Sequence, residues 1–361
     1  MRRLAACLVL LAALPTPARA AAPFFTGVGQ LPGRISSNAG DVSNTGVVWG
    51  VATDVWGTAQ SFLWSPAGGL TAYPNGRIFA ISADASVLLI SGPGGFHLDV
   101  GGVLQPLAGL YGIRALSDDG TTVVGTRLRT EFAVPRLEAA RWTAAGGVEG
   151  LGWLAHQNPE SVAKDVSTDG SVIVGETYNV VLAPGFRWTA ATGMEPMEPL
   201  DVPAGGAQAI VAVSGSGEKI VGLASGGGYV WSEAEGYVAL GNPWNPGIPK
   251  IPRDVSYAGT RIVGGNFASG SSAAFLWEAG KGMRELHAVL EEDYGLDLTG
   301  WTLLDANGIS PNGRWIVGDG INPAGVREGW VAFLGSPPCG LGAELPLVLA
   351  ALAACRRRCR S

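Results

Sequence analysis

Between Phe24 and Leu334 the apolar residues come in short bursts, separated by clusters of Gly, Asp, Asn and Pro. Bursts of this length, rich in Val, Ile and Trp and bounded by turn formers, predict strands rather than helices. They also recur in a fixed order. Asp165-Val166-Ser167-Thr168-Asp169-Gly170-Ser171-Val172-Ile173-Val174-Gly175 matches the segments 115–125 and 308–318 in its apolar-Ser-x-x-Gly-x-x-apolar-apolar-Gly frame. Weaker copies begin just before Ser43, Ser82, Ser214 and Ser256. With Ser117, Ser167 and Ser310 these give seven anchors at a mean spacing of about 45 residues, the period of a β-propeller blade.

A second anchor follows each serine, an aromatic residue in a short apolar run. It is Trp64, Trp142, Trp188, Trp231, Trp277 or Trp330, with Phe96-His97-Leu98 standing in that place in the second repeat. A Gly-containing turn and a further apolar run come next. Each repeat therefore reads as four strands; in the fourth they are about 163–167, 171–176, 185–189 and 194–200. The Asp-Gly or Asn-Gly pair supplies the positive φ of a tight hairpin. The Val-Val-Gly strand is apolar on both faces, so each sheet must stack on its neighbours. Tryptophan between sheets supplies a large share of that burial. The expected fold is all-β: a propeller of seven four-stranded blades closed by N- and C-terminal strands. Phe25 to Leu31 supplies the strand that the last repeat, ending at 330–334, lacks. Only Leu286 to Tyr294 reads as a helix.

This alternation of Ser-x-Asp-Gly-x-x-Val-Val-Gly with Phe-x-Trp-Thr resembles the HAF-repeat family of extracellular repeat proteins, over about residues 24–334. The segments 300–318 and 321–330 resemble that family's last repeat. The resemblance implies an exported repeat protein and brings no catalytic residues and no ligand. A likeness to the Asp-box hairpin of sialidases fails, because Gly follows Asp directly and Val-Gly stands where a terminal Trp belongs.

Both ends read as addresses. Residues 1–22 form a secretory signal peptide: Arg2 and Arg3, an apolar run from Leu4 to Leu14 too short to span a bilayer, then small residues. Cleavage falls after Ala20 or after Ala22. A twin-arginine signal lacks its flanking residues, and a lipobox at Leu4 to Cys7 has its cysteine ahead of the apolar run. Residues 336–361 invert the plan, with Pro337-Pro338-Cys339-Gly340, an apolar run from Leu345 to Ala354, and Arg356-Arg357-Arg358 with Arg360. This resembles bacterial C-terminal sorting signals of the PEP-CTERM and MYXO-CTERM kind, with Cys339 the processing residue. The alternative is an anchoring helix, for which about ten apolar residues fall short of the roughly 20 a span prefers. The body is thus 23–335, exported and either extracellular or held at the cell envelope.

Composition narrows the function. Hydrophobic residues make up 47% of the 361 and charged residues 15%, too apolar for disorder. The 55 glycines and 23 prolines rule out long helices. A net charge of −6 argues against a nucleic-acid partner. Cys7 lies in the leader and Cys339, Cys355 and Cys359 in the tail, so the body has no disulfide framework and no thiolate metal site. His97, His156 and His287 lie in different repeats without metal-ligand spacing. Glu291-Glu292-Asp293 reads as a solvated helix end rather than a calcium site, and Gly226-Gly227-Gly228 as a loop without a phosphate-binding lysine. No cofactor and no catalytic residue is expected. The recurrent residues serve packing and turns, which favours a binding or structural module, monomeric, with a glycan or protein ligand outside the cell and a sorting protease or envelope anchor as partner. The alternative is a propeller hydrolase or lyase acting on extracellular glycans or lactones.

Overall fold

The computed structural model describes residues 21–154, 160–178, 185–197, 209–224, 227–242, 249–266 and 274–335. Ala20 and Cys339 lie outside the described residues, as does His156; Ala22 is exposed and outside any strand. Residues 24–334 form one compact unit. It holds 28 strands and one helix among the described residues.

The serine turn explains why strands form where they do. In the fourth repeat β14 (Glu160–Val166) and β15 (Val172–Tyr178) pair antiparallel on either side of Ser167. The Ser167 N–H donates to the Val172 carbonyl at 2.9 Å, and its Oγ accepts from the Val172 N–H at 3.0 Å. The hydroxyl then donates to Asp169 Oδ1 at 2.9 Å. Ser167 has no exposed surface, so every polar group must be satisfied internally, and each is. The next pairings add β16 (Gly185–Thr189) and β17 (Gly193–Pro196), close to the four expected strands.

Recurrent glycine and aromatic residues belong together. Gly175 on β15 lies opposite Phe186 on β16. A Cβ on Gly175 would stand 2.1 Å from the Val162 carbonyl oxygen and 2.6 Å from the Phe186 ring. The same crowding occurs at Gly264 with Phe275 and at Gly318 with Trp330. Trp188 is buried in the layer between its own sheet and the preceding one, against Val124 and Ala139. Arg141 of the preceding sheet stacks over its ring at 4.6 Å.

The sheet count differs from expectation. Seven separate blades are not present. Five four-stranded sheets stand apart: β2–β5 (36–72), β6–β9 (77–106), β10–β13 (112–152), β14–β17 and β18–β21 (209–239). The remaining strands form a single eight-stranded closing sheet. It joins β22 (Lys250–Val255), β23 (Arg261–Asn266), β24 (Phe275–Glu278) and β25 (Gly282–Glu285) to β26 (Thr302–Ile309), β27 (Trp315–Ile321), β28 (Arg327–Phe333) and β1 (Phe24–Gly27). The junction is one pair, Gly265 on β23 opposite Asp305 on β26. Gly265 makes it possible: a Cβ there would lie 2.3 Å from Asp305 Oδ1.

The terminal closure is present in that sheet. Phe24, Phe25, Thr26 and Gly27 pair with Phe333, Ala332, Val331 and Trp330. The helix α1 (Leu286–Glu292) buries Leu286, Val289 and Leu290 against the same sheet. Around the ring of serine turns, each turn is tied to the next by a backbone hydrogen bond, such as Ala83 N–H to the Asp118 carbonyl and Tyr257 N–H to the Pro311 carbonyl, both at 2.8 Å. The last link uses side chains: Asn312 N–H donates to Asn44 Oδ1 at 2.8 Å.

Candidate binding site at the serine-turn mouth and the lumen

The innermost strands surround a lumen, and the residues just before and just after each anchor serine line it. The residue after the serine forms the mouth. Asn44, Asp118, Thr168, Tyr257 and Pro311 lie here, beside Arg261, Glu278 and Lys281, around a cavity of about 710 Å³. Thr168 Oγ1 donates to Asp118 Oδ2, a short contact between neighbouring turns. Burial raises the Asp118 carboxyl above its usual range, opposed by that hydrogen bond. Glu278 is gripped by Arg261 at 3.2 Å, Arg284 at 2.8 Å and Lys281 at 3.1 Å, leaving the Tyr257 ring as the half-exposed apolar surface.

Below the mouth the lumen narrows to about 260 Å³, sharing Ala83, Asp118 and Pro311 with the outer cavity. Two residues before the serine stand Asp41, Asp165 and Asp254 in the first, fourth and sixth repeats. Asp165 Oδ2 accepts from the Val213 N–H of the next sheet at 2.7 Å, and Asp254 Oδ2 from the Ile309 N–H at 2.8 Å. Each carboxyl thus latches one inner strand to its neighbour. Both are partly buried along the lumen wall, and desolvation pushes Asp165 up to about 8 and Asp254 up to about 7. Asp41 rises well above the carboxylate range through the same burial and the nearby Asp254 charge.

One residue deeper, every inner strand carries a β-bulge. The bulged residue has no partner opposite it, as with Arg114 between Ile113 and Ala115, Lys164 between Ala163 and Asp165, and Arg253 between Pro252 and Asp254. Bulges re-aim side chains, and here they set Arg114, Lys164, Arg253, Phe79 and Asn307 around the lumen. Lys164 pairs with Glu176 at 3.0 Å and Arg253 with Asp305 at 2.8 Å.

Of the described residues singled out in the sequence, only Ser256 lines this site. All seven serines are buried in their turns, and the tryptophans pack in or beside the layers between sheets. His97 lies on β8 (Gly95–Val100), and His287 on α1 is 3.2 Å from Glu291. Gly227 and Gly228 open the strand β20 (Gly227–Ser232) rather than a loop. Asp293 is held by Arg284 at 2.6 Å. Among the described residues no group of three or more His, Cys, Asp or Glu has the arrangement of a metal site. The lumen residues were missed because they are the ones that vary. The signal available was positional: the places two and three residues before each recurrent serine change freely inside an otherwise fixed frame, with Asp at the first in three repeats and Arg or Lys at the second in three.

No protein-family model matches the chain, and no curated protein matches it. Solved structures do. Oligogalacturonate lyase from Vibrio parahaemolyticus aligns at a TM-score of 0.54 with 11% identity, over 87% of this chain and 97% of that one. The β-propeller domain of the Trilobed protease from Pyrococcus furiosus aligns at 0.53 with 10% identity, over 82% and 95%. TolB from Acinetobacter baumannii aligns at 0.45 with 15% identity; 70% of this chain covers 64% of that protein. At such identities the first two likenesses show the fold, and the fold is a β-propeller. Among the described residues no helix is long and apolar enough to cross a membrane.

Proposed function

We propose that the chain is an exported, envelope-held β-propeller that binds an extracellular glycan at its serine-turn mouth. One observation carries the reading: a cavity of about 710 Å³ that sets the half-exposed Tyr257 ring beside Asn44, Thr168 and Asp118. An aromatic face suits the apolar side of a sugar ring, and hydroxyl, amide and carboxyl groups suit its hydroxyls. The export signal, the tail with Cys339 and the resemblance to HAF-repeat proteins support the extracellular setting. In this reading the mature protein loses residues 1–20 or 1–22 and is processed near Cys339. The test is a panel of immobilised oligosaccharides probed with mature protein from the native host. Saturable binding that falls at least about tenfold in Tyr257→Ala and Asp118→Asn is expected. No binding across the panel, or binding that both variants retain, would overturn it.

A hydrolase or lyase reading has one observation in its favour: carboxyls at about 7 and 8 inside the lumen, the range of a general acid at neutral pH. Their latching bonds to backbone amides count against it. Shortening of any panel oligosaccharide by wild type but not by Asp165→Asn or Asp254→Asn would favour catalysis.

A further inference from the structure

We propose that the lumen beneath the mouth holds an inner oxyanion subsite, built on Arg114 and Lys164, that takes a carboxylate or phosphate group. The proposal deepens the binding reading above and rests on it only for the continuity of the two cavities.

The bulges make the site. Arg114 and Lys164 occupy the same bulge position on β10 (Gly112–Leu116) and β14, the inner strands of consecutive repeats. Arg253 occupies it on β22. All three line one lumen of about 260 Å³, and no acidic residue occupies a bulge. Their charge is unevenly met. Lys164 has Glu176 and Arg253 has Asp305. Arg114 makes no hydrogen bond and no ion pair among the described residues, although its charge lies near enough to influence Tyr178. Gathering like charges around a narrow lumen is unfavourable unless an anion enters, because low-dielectric walls focus the field.

The acidic layer above does not cancel this charge. The same lining carries four carboxyls, Asp41, Asp118, Asp165 and Asp254. Desolvation raises all four, Asp165 to about 8 and Asp254 to about 7, which favours their neutral acid forms. Their oxygens are already engaged, Asp41 by the Val42 N–H, Asp118 by the Thr168 hydroxyl, Asp165 by the Val213 N–H and Asp254 by the Ile309 N–H. The planar guanidinium fork matches two oxygens of a carboxylate or phosphate, and the ammonium beside it adds a point charge. The small volume restricts the guest to one such group with its immediate carrier. A uronic acid at a glycan end and a phosphoryl group both meet that description.

Titration calorimetry of the mature protein in chloride-free buffer tests the site with two probes, inorganic phosphate and D-glucuronate. Saturable binding of at least one is expected; which one binds identifies the source. Arg114→Gln should weaken it at least about tenfold, and Arg114→Lys should restore part of the loss. Arg141→Gln removes the same charge on the third strand of the sheet, β12 (Arg136–Thr143), away from the lumen lining, and should leave anion binding as it was. Arg114 is exposed and unpaired, so its variants are expected to keep the wild-type unfolding midpoint. Absence of binding by both probes, or equal binding in wild type and Arg114→Gln, would overturn the subsite. Neither result depends on whether an oligosaccharide binds at the mouth, so the two readings fail separately.

Discussion

Ala85 carries a backbone conformation that the other serine turns give to glycine. Its φ is 65°, while Gly120, Gly170 and Gly313, at the same place in their turns, have φ of 75°, 72° and 69°. An L side chain in this left-handed region is strained by about 1–2 kcal/mol, offset in part by the lower entropy loss of alanine on folding. Ala85→Gly is therefore expected to stabilise the protein by about 0.5–1 kcal/mol, read as a higher urea midpoint. An unchanged or lower midpoint would mean that the packing of the Ala85 methyl against its apolar cluster outweighs the strain. The turn serines and glycines were legible in the sequence because their role is local: a hydroxyl that closes a five-residue loop leaves the same mark in every copy. A bulge leaves only a variable place three residues before the serine, since the extra residue is any residue, and so Arg114 and Lys164 passed unnoticed.

Elements show where a repeat can drift. In the second repeat the expected stand-in for the Phe-x-Trp run was Phe96-His97-Leu98, but the register places His97 opposite Ile90 and Asp99 opposite Leu88. By comparison with Trp188 opposite Ile173, the equivalent run is His97-Leu98-Asp99. Ile90 fills the space that the glycine–phenylalanine pair fills elsewhere, and Asp99 in the tryptophan's place bonds to the Tyr73 hydroxyl. In the sequence the aromatic Phe96 stands out; the shift of one place shows only in the pairing partners. The closing strand, by contrast, was foreseeable, because a last repeat one strand short demands a donor. Phe24 and Phe25 pack on Trp315, Phe333, Trp301 and Trp330. Deleting residues 24–27 should cost about 3 kcal/mol from lost aromatic burial and speed hydrogen exchange along β28. Unchanged exchange there would show that the seam contributes nothing to closure.

At the scale of the whole molecule the latch carboxyls set a pH dependence. In the unfolded chain an aspartate ionises near pH 3.9. In the folded chain Asp254 keeps its proton to about 7 and Asp165 to about 8. Between those limits the folded state binds more protons, so stability is greatest at the acid end of the window and declines as pH rises from about 4 to about 8. Exposed carboxyls with lowered values, such as Asp54 and Asp169, oppose this only below pH 4. Wild type is expected to melt at a higher temperature at pH 5 than at pH 8, and Asp165→Asn with Asp254→Asn should flatten the difference. Equal melting temperatures in wild type would contradict it. The ring itself was legible from the repeats. The merging of the last two into one sheet was not, because it hangs on a single missing side chain, at Gly265.

The seam between β1 and β28 also fixes how the molecule bears load. Phe24 and Phe333 face each other at one end of it. A pull that drew the two chain ends apart would meet the rungs of the seam singly, as a zipper does, and the ring would open at modest force. A pull on the chain beyond Leu334 that the body resists acts along β28 instead. That strand is flanked by β27 through seven pairs and by β1 through four, and these share the load in shear. Load applied from the C-terminal side alone is thus borne in shear across both neighbouring strands, rather than by peeling them one rung at a time.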